Sequence, residues 1–479
     1  NLEAGGIINA GPRSGKFTGI IGYNACTGLS NNTQVFFGPK AEEAMVGWDQ
    51  TAEMRSCYYF APIKRYFLPQ HKINPLSHVT IDSPTIIGDM DKFVADSLPE
   101  SGGGNAKFFE LTAQRLGKSL GLAITERDGE FTFAAFYQAI NLIAQNNREW
   151  SDFAWAMNNS RFEEVKAVEA EVAAGQKSGS NAYQSVLAEL QNAFRGLSDP
   201  YLMEAVSPPF DVTLEEICEK GDVNFYILPP PDFIKSWSPI IRTIFSSLKT
   251  IKSRNINWPK QDWWIDEAPL LAPFPVASEL LNFGAGEGIR VFFVTQSFGQ
   301  MDQIVDKGSI NLPAGSGVQI YFGIRELETA ERISKSCGVA PVYYHDDLKR
   351  SEAALEKQNA LSKIFGGADA MQAGIEYAHH NRASQHVSQQ EAPLIRPEEV
   401  MHLPRGKAII FLDGLSGPVL ADLPPYFSIR PMAGKYLANP AHPPMDKVRV
   451  KRLIWHGWRK VITNPVPPKH AHLPQYVEK

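Results

Sequence analysis

The sequence has few cysteines and no long apolar run, and both absences limit what the protein can be. Its four cysteines are scattered and form no C-x-x-C pair, which argues against a structural metal site or a disulfide framework and fits a reducing cytoplasm. No stretch approaches the ~18–20 apolar residues of a membrane-spanning helix, and no secretory signal is visible at the start. Because a glycine-rich loop follows within ten residues of Asn1, we expect a preceding piece to be missing from this chain.

The chain also lacks an excess of charge of either sign. Its 479 residues include 47 Lys and Arg and 52 Asp and Glu, which gives a formal net charge of −5. With 43% hydrophobic and 21% charged residues, the composition is that of a soluble globular protein long enough for two or more domains. Any contact with nucleic acid would therefore depend on local patches or pore loops.

What the sequence does contain is the segment AGPRSGKFT at residues 10–18. A β-prone run, residues 6–9, enters it, and a helix is predicted from Thr18 to Ala25. Such a loop turns successive backbone N–H groups toward an anion, and the helix adds its positive amino end. We predict a phosphate-binding loop for ATP in which Lys16 reaches the outer phosphates. The predicted nucleotide-binding residues are Gly11, Pro12, Arg13, Ser14, Gly15, Lys16, Phe17 and Thr18.

This loop departs from the pattern G-x-x-x-x-G-K-[ST] at two positions. Ala10 replaces the first glycine, and Phe17 stands where a Ser or Thr would ligate Mg²⁺, with Thr18 one residue late. The alternative interpretation is a glycine-rich turn after a strand, with a solvent-facing Lys16.

A second motif, WWIDE at residues 263–267, reads as a buried strand that ends in two carboxylates. Parallel sheets carry functional groups at the carboxyl ends of their strands. We predict that Asp266 holds Mg²⁺, directly or through water, and that Glu267 orients or deprotonates the attacking water. The alternative is an Asp-Glu pair that caps a helix.

Strand-like runs recur along the chain and several are followed by helix-like segments, which predicts an α/β fold with a mostly parallel sheet covered on both faces. The predicted runs are 34–37, 57–60, 223–228, 263–265, 290–295, 318–322 and 407–412.

A stretch with helical spacing interrupts this alternation and predicts an inserted all-helical domain. We expect a first part of the nucleotide-binding domain over residues 1–109, the helical domain over 110–205, a second nucleotide-binding part over 206–430 and a C-terminal tail over 431–479. Within that tail, we expect the basic segment with Trp455 and Trp458 to form a packing helix. Contact with lipid headgroups, DNA or a partner subunit is the alternative.

An ordered series of motifs resembles the type IV secretion coupling proteins of the TraG/TraD kind, relatives of the FtsK–HerA hexameric motors. The series runs from the phosphate loop through FFGPKAEE (36–43), INPL (73–76), FFELTAQRL (108–116), WWIDEAPLL (263–271), FGAGEGIRVFFVTQS (283–297), YFGIRELETAERIS (321–334) and LIRPEEVMHLPRGKAIIFLDG (394–414). Each fragment alone is weak, whereas the order is specific.

The resemblance implies a RecA-like P-loop domain in a homo-hexameric ATPase at the cytoplasmic face of the bacterial inner membrane. Such a protein uses ATP and Mg²⁺ and brings relaxase–DNA complexes or protein effectors to inner-membrane components of a secretion or conjugation channel. The membrane anchor of the family is absent from this chain. Gln296 falls at the family's QS position, where it would sense the γ-phosphate as part of the catalytic set. A strand-end amide bonded to backbone is the alternative.

Two further departures from the family concern charge. Gly38 replaces the aspartate of the DPK motif, and Ala285 stands where many relatives carry an arginine finger. Arg290, Arg325 and Arg332 are candidate substitutes, with surface salt bridging as the alternative for each. The leading hypothesis is an ATPase that powers substrate handover. The competing hypothesis is a catalytically weak or inactive scaffold that docks substrates to the secretion apparatus.

Overall fold

A computed structural model describes residues 4–27, 30–65, 68–100, 103–145, 147–345, 347–365, 370–383, 387–429, 432, 435–437, 439, 447–451 and 455–460. The chain divides into two compact units, one formed by Asn1–Gly323 with Pro404–Lys479 and the other by Ile324–Leu403.

Strands occur in both units. In chain order they are β1 (Gly6–Ala10), β2 (Thr33–Phe37), β3 (Ser56–Phe60), β4 (Val223–Ile227), β5 (Gln261–Ile265), β6 (Ile289–Thr295), β7 (Val318–Phe322), β8 (Val339–His345), β9 (Val387–Pro393), β10 (Lys407–Leu412), β11 (Val419–Asp422), β12 (Lys447–Lys451) and β13 (His456–Lys460).

Helices follow most strands of the first unit and dominate the interval between β3 and β4. They are α1 (Gly22–Thr27), α2 (Glu42–Met54), α3 (Ile86–Ser97), α4 (Gly104–Asp128), α5 (Phe133–Gln145), α6 (Arg148–Asn158), α7 (Glu163–Ser178), α8 (Asn181–Ala193), α9 (Pro200–Ala205), α10 (Leu214–Glu219), α11 (Ile234–Arg254), α12 (Val276–Glu287), α13 (Phe298–Ile304), α14 (Gly308–Ala314), α15 (Leu327–Cys337), α16 (Asp347–Phe365), α17 (Ala370–Ala383) and α18 (Pro397–Met401). None of the helices within the described ranges is both long and apolar enough to cross a bilayer.

One sheet organises the first unit, and within the described residues it has nine strands in the order β11-β10-β7-β1-β6-β5-β2-β4-β3. The strands from β7 to β3 in this order pair in parallel, whereas β10 and β11 are antiparallel at one edge. Every residue of β1, β2, β4 and β5 is buried, as expected for strands covered on both faces. The predicted mostly parallel α/β sheet is confirmed.

The helices between β3 and β4 are held by an aromatic cluster. Phe93 of α3 lies 5.3–5.8 Å, between ring centroids, from Phe131, Phe133, Phe136 and Phe194, and all five rings are buried. Burial of apolar area and edge-to-face contact between such rings both stabilise the folded state. The separability of residues 110–205 as a domain stays a prediction.

The second unit contains an antiparallel pair, β8 with β9, and helices α15 to α18. Within it, the Ser334 hydroxyl of α15 donates to the carbonyl oxygen of Ile395, 2.6 Å away, and α15 packs against α18. The hairpin was not predicted from the sequence, because β9 (VSQQEAP) shows no apolar alternation.

The segment predicted as a tail contributes buried side chains to the first unit. Met432 and Tyr436 join Cys26, Val46 and Tyr426 in an apolar cluster over α1 and α2. The prediction of a helix around Trp455 and Trp458 is wrong. Strands β12 and β13 form an antiparallel hairpin, in which Trp455 directly precedes β13 and Trp458 lies within β13. The alternation of Val448 and Val450 with basic neighbours has a period of two, which favours a strand.

Candidate functional site

The sheet register brings four strand ends to one edge. Asn9 of β1 pairs with Thr295 of β6, Phe293 of β6 with Ile265 of β5, and Ile265 with Phe37 of β2. The residues that follow these strands are therefore neighbours, although they come from positions far apart in the sequence. They are Gly11, Gln296, Asp266 and Gly38.

The loop after β1 is closed by its own hydrogen bonds. The Ser14 hydroxyl donates to the carbonyl oxygen of Gly11 at 2.6 Å, and the backbone N–H of Gly19 donates to the carbonyl oxygen of Gly15 at 2.8 Å. Arg13 and Gly15 have positive φ angles of 57° and 95°. Such a turn at a helix amino end presents backbone N–H groups to an anion, which is the geometry predicted for these residues.

The helix after the loop begins with a five-residue π-helix, Phe17–Ile21, and continues as α1. The Phe17 ring packs edge-on against Tyr426, 5.8 Å between centroids. The Thr18 hydroxyl donates to the carbonyl oxygen of Gly15 at 3.2 Å. An aromatic side chain cannot ligate Mg²⁺, so Phe17 serves packing at this position.

Lys16 joins the loop to the strand β5 carboxylates. Its Nζ atom lies 3.0 Å from Glu267 Oε1 and 4.0 Å from Asp266 Oδ1, and its side chain is only 10% exposed. The alternative interpretation of a solvent-facing Lys16 is therefore wrong. Since Lys16 and Glu267 are 251 residues apart in sequence, this contact links the two motifs directly.

The pKa values of the two carboxylates after β5 are shifted in opposite directions. Burial raises the pKa of Asp266 to about 6, against the lowering effect of the Lys16 ammonium. Burial alone would raise the pKa of Glu267, but the Lys16 charge and hydrogen bonds from Lys16 and Gln296 hold it below its ordinary value. Glu267 also has a left-handed backbone (φ 56°, ψ 48°), an uncommon conformation for a non-glycine residue that is frequent at functional sites.

Gln296, immediately after β6, directs its amide at Glu267. Its Nε2 atom donates to Glu267 Oε2 at 2.9 Å, while its backbone N–H donates to Gln300 Oε1 at 2.8 Å. The structure thus brings together Lys16, Asp266, Glu267 and Gln296. Their catalytic and binding roles stay predictions.

Sequence reasoning missed Glu43 of α2, a third buried carboxylate at this edge. Glu43 is 3% exposed, and burial together with the Asp266 charge raises its pKa to about 8. A Cβ atom placed on Gly38 would lie 2.2 Å from Glu43 Oε2. The absence of an aspartate at position 38 was the sequence signal for this carboxylate. A glycine at a strand end leaves a volume that a side chain from a neighbouring element can fill.

The donors at this edge suit a hard divalent cation. Asp266 Oδ1 and Glu43 Oε2 are buried oxygens that have no hydrogen-bond partner within the described part of the chain. Mg²⁺ prefers oxygen ligands and is usually held by one or two carboxylates together with substrate phosphates. The residues present therefore fit Mg²⁺ bound with a nucleotide.

The three candidate arginines differ in their contacts. Arg290, near the amino end of β6, makes a bidentate pair with the buried Asp262, with Nε–Oδ1 2.6 Å and Nη2–Oδ2 2.9 Å. This edge of the sheet is opposite to the one that carries Lys16. In the second unit, Arg332 pairs with Glu328 one helical turn away, and Arg325 is exposed.

Comparison with known proteins identifies the family. The family described as type IV secretory system conjugative DNA transfer matches residues 3–446. The chain belongs to this family. The coupling-protein resemblance predicted from the motif series is confirmed.

Two relatives are similar over most of this chain. The protein VirD4 of Agrobacterium fabrum (strain C58) and that of Rhizobium rhizogenes are each 24% identical over 351 residues, which is 72% of this chain and 47% of the relative. The chain thus spans about half the length of the curated relatives it matches.

Solved structures support the fold. The bacterial conjugative coupling protein TrwBdeltaN70 in complex with sulphate matches with a TM-score of 0.62 at 15% identity, covering 88% of this chain and 86% of that chain. The plasmid coupling protein TrwB in complex with ADP and Mg²⁺ matches with a TM-score of 0.61 at 15% identity, covering 88% and 85%. At this identity the likeness concerns the fold alone, and it confirms the predicted RecA-like α/β class.

The raised pKa of Asp266 predicts a pH-dependent stability difference. The Asp266 carboxyl has a pKa of about 6 in the folded protein and an ordinary value of 3.8, so the folded protein binds its proton more tightly than the unfolded chain does. As pH rises from about 4 through 6, ionisation of Asp266 therefore lowers the free energy of unfolding. Asp266→Asn removes this cost. Without nucleotide and in EDTA, its unfolding free energy relative to wild type should rise between pH 5 and pH 7.5 by about 1 kcal/mol, since one pKa unit corresponds to about 1.4 kcal/mol.

Thermal unfolding at the two pH values measures this difference. The matched control is Asp306→Asn, which changes an exposed aspartate. A difference between Asp266→Asn and wild type that stays constant with pH would contradict the assigned environment of Asp266.

Proposed function

We propose that this protein is an ATPase of the coupling-protein kind, which brings DNA–protein or protein substrates to a type IV secretion or conjugation channel and powers their handover. The observation that carries the proposal is the contact of Lys16, from the phosphate loop, with Glu267 at the end of β5. A loop that presents N–H groups and an ammonium, facing two carboxylates and an amide, has the parts that phosphoryl transfer to water requires.

Each residue has a distinct task in this proposal. Lys16 moves from Glu267 to the outer phosphates of ATP, and Glu267, its oxygen released, accepts a hydrogen bond and then a proton from water. Gln296 keeps Glu267 oriented and lies where it can contact the γ-phosphate. Asp266 would hold Mg²⁺, which supplies charge neutralisation on the phosphates when bound. The loop residues 11–18 bind the phosphates through backbone N–H groups.

The similar structures support the choice of nucleotide and cation. TrwB is described in complex with ADP and Mg²⁺ and with a non-hydrolysable ATP analogue. By analogy, we assign ATP and Mg²⁺ to this chain. From the resemblance of its motif series to hexameric coupling proteins, we further propose that the chain acts as a homo-hexamer at the cytoplasmic face of the inner membrane. Its proposed partners are inner-membrane secretion components and relaxase–DNA complexes or effector proteins. Analytical ultracentrifugation of the chain with an ATP analogue tests this oligomeric state. We expect a species with the mass of a hexamer, and a chain that stays monomeric would contradict the proposal.

A scaffold with little or no turnover is the second candidate. The packing of Phe17 against Tyr426 favours it, because no hydroxyl stands at the usual Mg²⁺-ligand position. The buried Lys16–Glu267 pair favours the ATPase, because a scaffold has no need to keep such charges at a strand end. Turnover of ATP by wild type, with and without single-stranded DNA, separates the two.

Lys16→Ala should weaken ATP binding at least tenfold, because it removes from the phosphate loop the ammonium that is proposed to contact the outer phosphates. The measurement is a titration with a fluorescent ATP analogue. Lys220→Ala, an exposed lysine before the amino end of β4, is the matched control and should bind as wild type does. Equal affinity of Lys16→Ala and wild type would refute the assignment of the loop.

Glu267→Gln should keep ATP binding and lower kcat by about 10²- to 10⁴-fold, because the amide preserves shape but has no basicity. Binding should even tighten, since Lys16 loses its carboxylate partner and is free for phosphate. Turnover in single-turnover and steady-state assays measures the effect. If the variant hydrolyses ATP like wild type, the base lies elsewhere.

We also propose that the helices over residues 110–205 carry cargo or adaptor specificity, since inserts on a rigid core commonly do. Exchange of this segment for that of a relative should change which substrate is transferred and leave the basal ATPase rate within about twofold. Unchanged cargo choice in a transfer assay would count against this proposal.

A further inference from the structure

Glu43 is a buried carboxylate to which the proposed mechanism of ATP hydrolysis assigns no task. It lies in the first turn of α2, is 3% exposed, and its Oε2 atom has no hydrogen-bond partner among the described residues. The carboxyl accepts a hydrogen bond from its own backbone N–H, but burying its second oxygen without a partner is unfavourable unless the group is protonated or finds a charge partner. Such a group calls for an explanation beyond packing.

The position of this carboxylate is set by Gly38. A Cβ atom built on Gly38 would lie 2.2, 2.5 and 2.6 Å from the Oε2, Cδ and Oε1 atoms of Glu43. The carboxylate of Glu43 therefore fills the volume that a side chain at position 38 would enter. Only the lack of a side chain at the end of β2 allows this arrangement.

The same volume adjoins Asp266. Phe37 pairs with Ile265, and the backbone N–H of Asp266 donates to the carbonyl oxygen of Phe37 at 3.0 Å. Position 38 and Asp266 thus follow paired residues at neighbouring strand ends. Asp266 Oδ1 also has no hydrogen-bond partner among the described residues. Two acidic oxygens that lack a hydrogen-bond partner among the described residues thus come from different elements at one edge of the sheet, and Asp266 Oδ1 lies 4.0 Å from Lys16 Nζ.

We infer that Glu43 is the second carboxylate of the divalent-cation site, acting beside Asp266 in place of an acid at position 38. The inference rests on the proposed nucleotide site and deepens it, because it assigns the cation to carboxylates from β5 and α2 rather than to a hydroxyl at position 17. A divalent cation would offset both buried negative charges, and the nucleotide phosphates would complete its oxygen shell. This explains how the chain dispenses with a Ser or Thr at Phe17.

The test is a titration of the 479-residue chain with a fluorescent ADP analogue, in EDTA and over a series of Mg²⁺ concentrations. In Glu43→Gln, which keeps the shape and removes the charge, the Mg²⁺ concentration for half-maximal tightening should rise at least tenfold, in the range seen when groups that support a metal site are lost. Affinity in EDTA should stay within twofold of wild type. Glu219→Gln, an exposed glutamate before the amino end of β4, is the matched control and should respond to Mg²⁺ as wild type does.

A second experiment moves the carboxylate from position 43 to position 38, so that the test does not depend on one variant. Glu43→Ala should lose the Mg²⁺ response, and Gly38→Asp combined with Glu43→Ala should recover most of it, because the aspartate enters the vacated volume. Gly38→Asp alone should lower the thermal midpoint, since its Cβ meets the Glu43 carboxylate. Circular dichroism checks that each variant folds.

The outcomes separate the inference from the function on which it rests. A wild-type Mg²⁺ response in Glu43→Gln, or a double variant no better than Glu43→Ala, overturns the inference and leaves the nucleotide site intact. Nucleotide binding by wild type that Mg²⁺ does not strengthen overturns it as well. A wild-type chain that binds nucleotide in neither buffer refutes the proposed function, and the inference falls with it.

Discussion

The Lys16 ammonium lies within 4.0 Å of two carboxylates, at a sheet edge where a third is buried close by. Lys16 makes the direct contact, and the charge of the exposed Lys40 also lowers the pKa of all three acids, but neither cation offsets the effect of burial on Asp266 and Glu43. Glu267 takes the direct contact and has a lowered pKa, whereas Asp266 and Glu43 have raised ones. The edge is therefore electrostatically incomplete in the protein alone, which is a common condition of binding sites. Arrival of a polyanion with a divalent cation would draw Lys16 away from Glu267 and supply the positive charge that the acids lack.

The helix after the phosphate loop is fixed by packing as well as by charge. Phe17 contacts Tyr426, the Tyr23 hydroxyl donates to the carbonyl oxygen of Pro424, and Asn439 donates to Glu42. The segment after β11 thereby covers α1 and the start of α2. The position at which phosphate loops commonly carry a metal-ligating Ser or Thr is occupied here by Phe17, which packs against the C-terminal segment. A Mg²⁺ ion in the proposed site would therefore need oxygen ligands from another element. The position of Glu43 at the start of the same α2 helix is consistent with that requirement.

The sequence predicted the strands well, because each central strand is a short apolar run and the sheet is covered on both faces. Val318–Phe322 and Lys407–Leu412 agree with the structure at both ends. The polar β9 strand escaped prediction, since its partner rather than its pattern makes it a strand. The sequence assigned Lys16 to the ATP phosphates and Glu267 to the attacking water, but it did not predict the direct contact between the two side chains. The absent aspartate at position 38 signalled a replacement nearby, but the choice of Glu43 depends on the pairing of β2 with β5 and on the volume left by Gly38, which the sequence does not show.

Ala285 is the other departure from the family, because many relatives carry an arginine finger at this position. The contacts of Arg290, Arg325 and Arg332 distinguish these three candidate substitutes. Arg290 holds the buried Asp262 at the amino edge of the sheet, where loss of its guanidinium would leave an unpaired buried acid. That structural task explains Arg290 without any catalytic role. Arg325 and Arg332 belong to the Ile324–Leu403 unit, where Arg325 is exposed and Arg332 pairs with Glu328 within its own helix. Exposed pairs of this kind contribute little stability. An arginine acting across a subunit interface must be exposed enough to reach a neighbouring site, and on this criterion the exposed Arg325 is a better candidate than the half-buried Arg290.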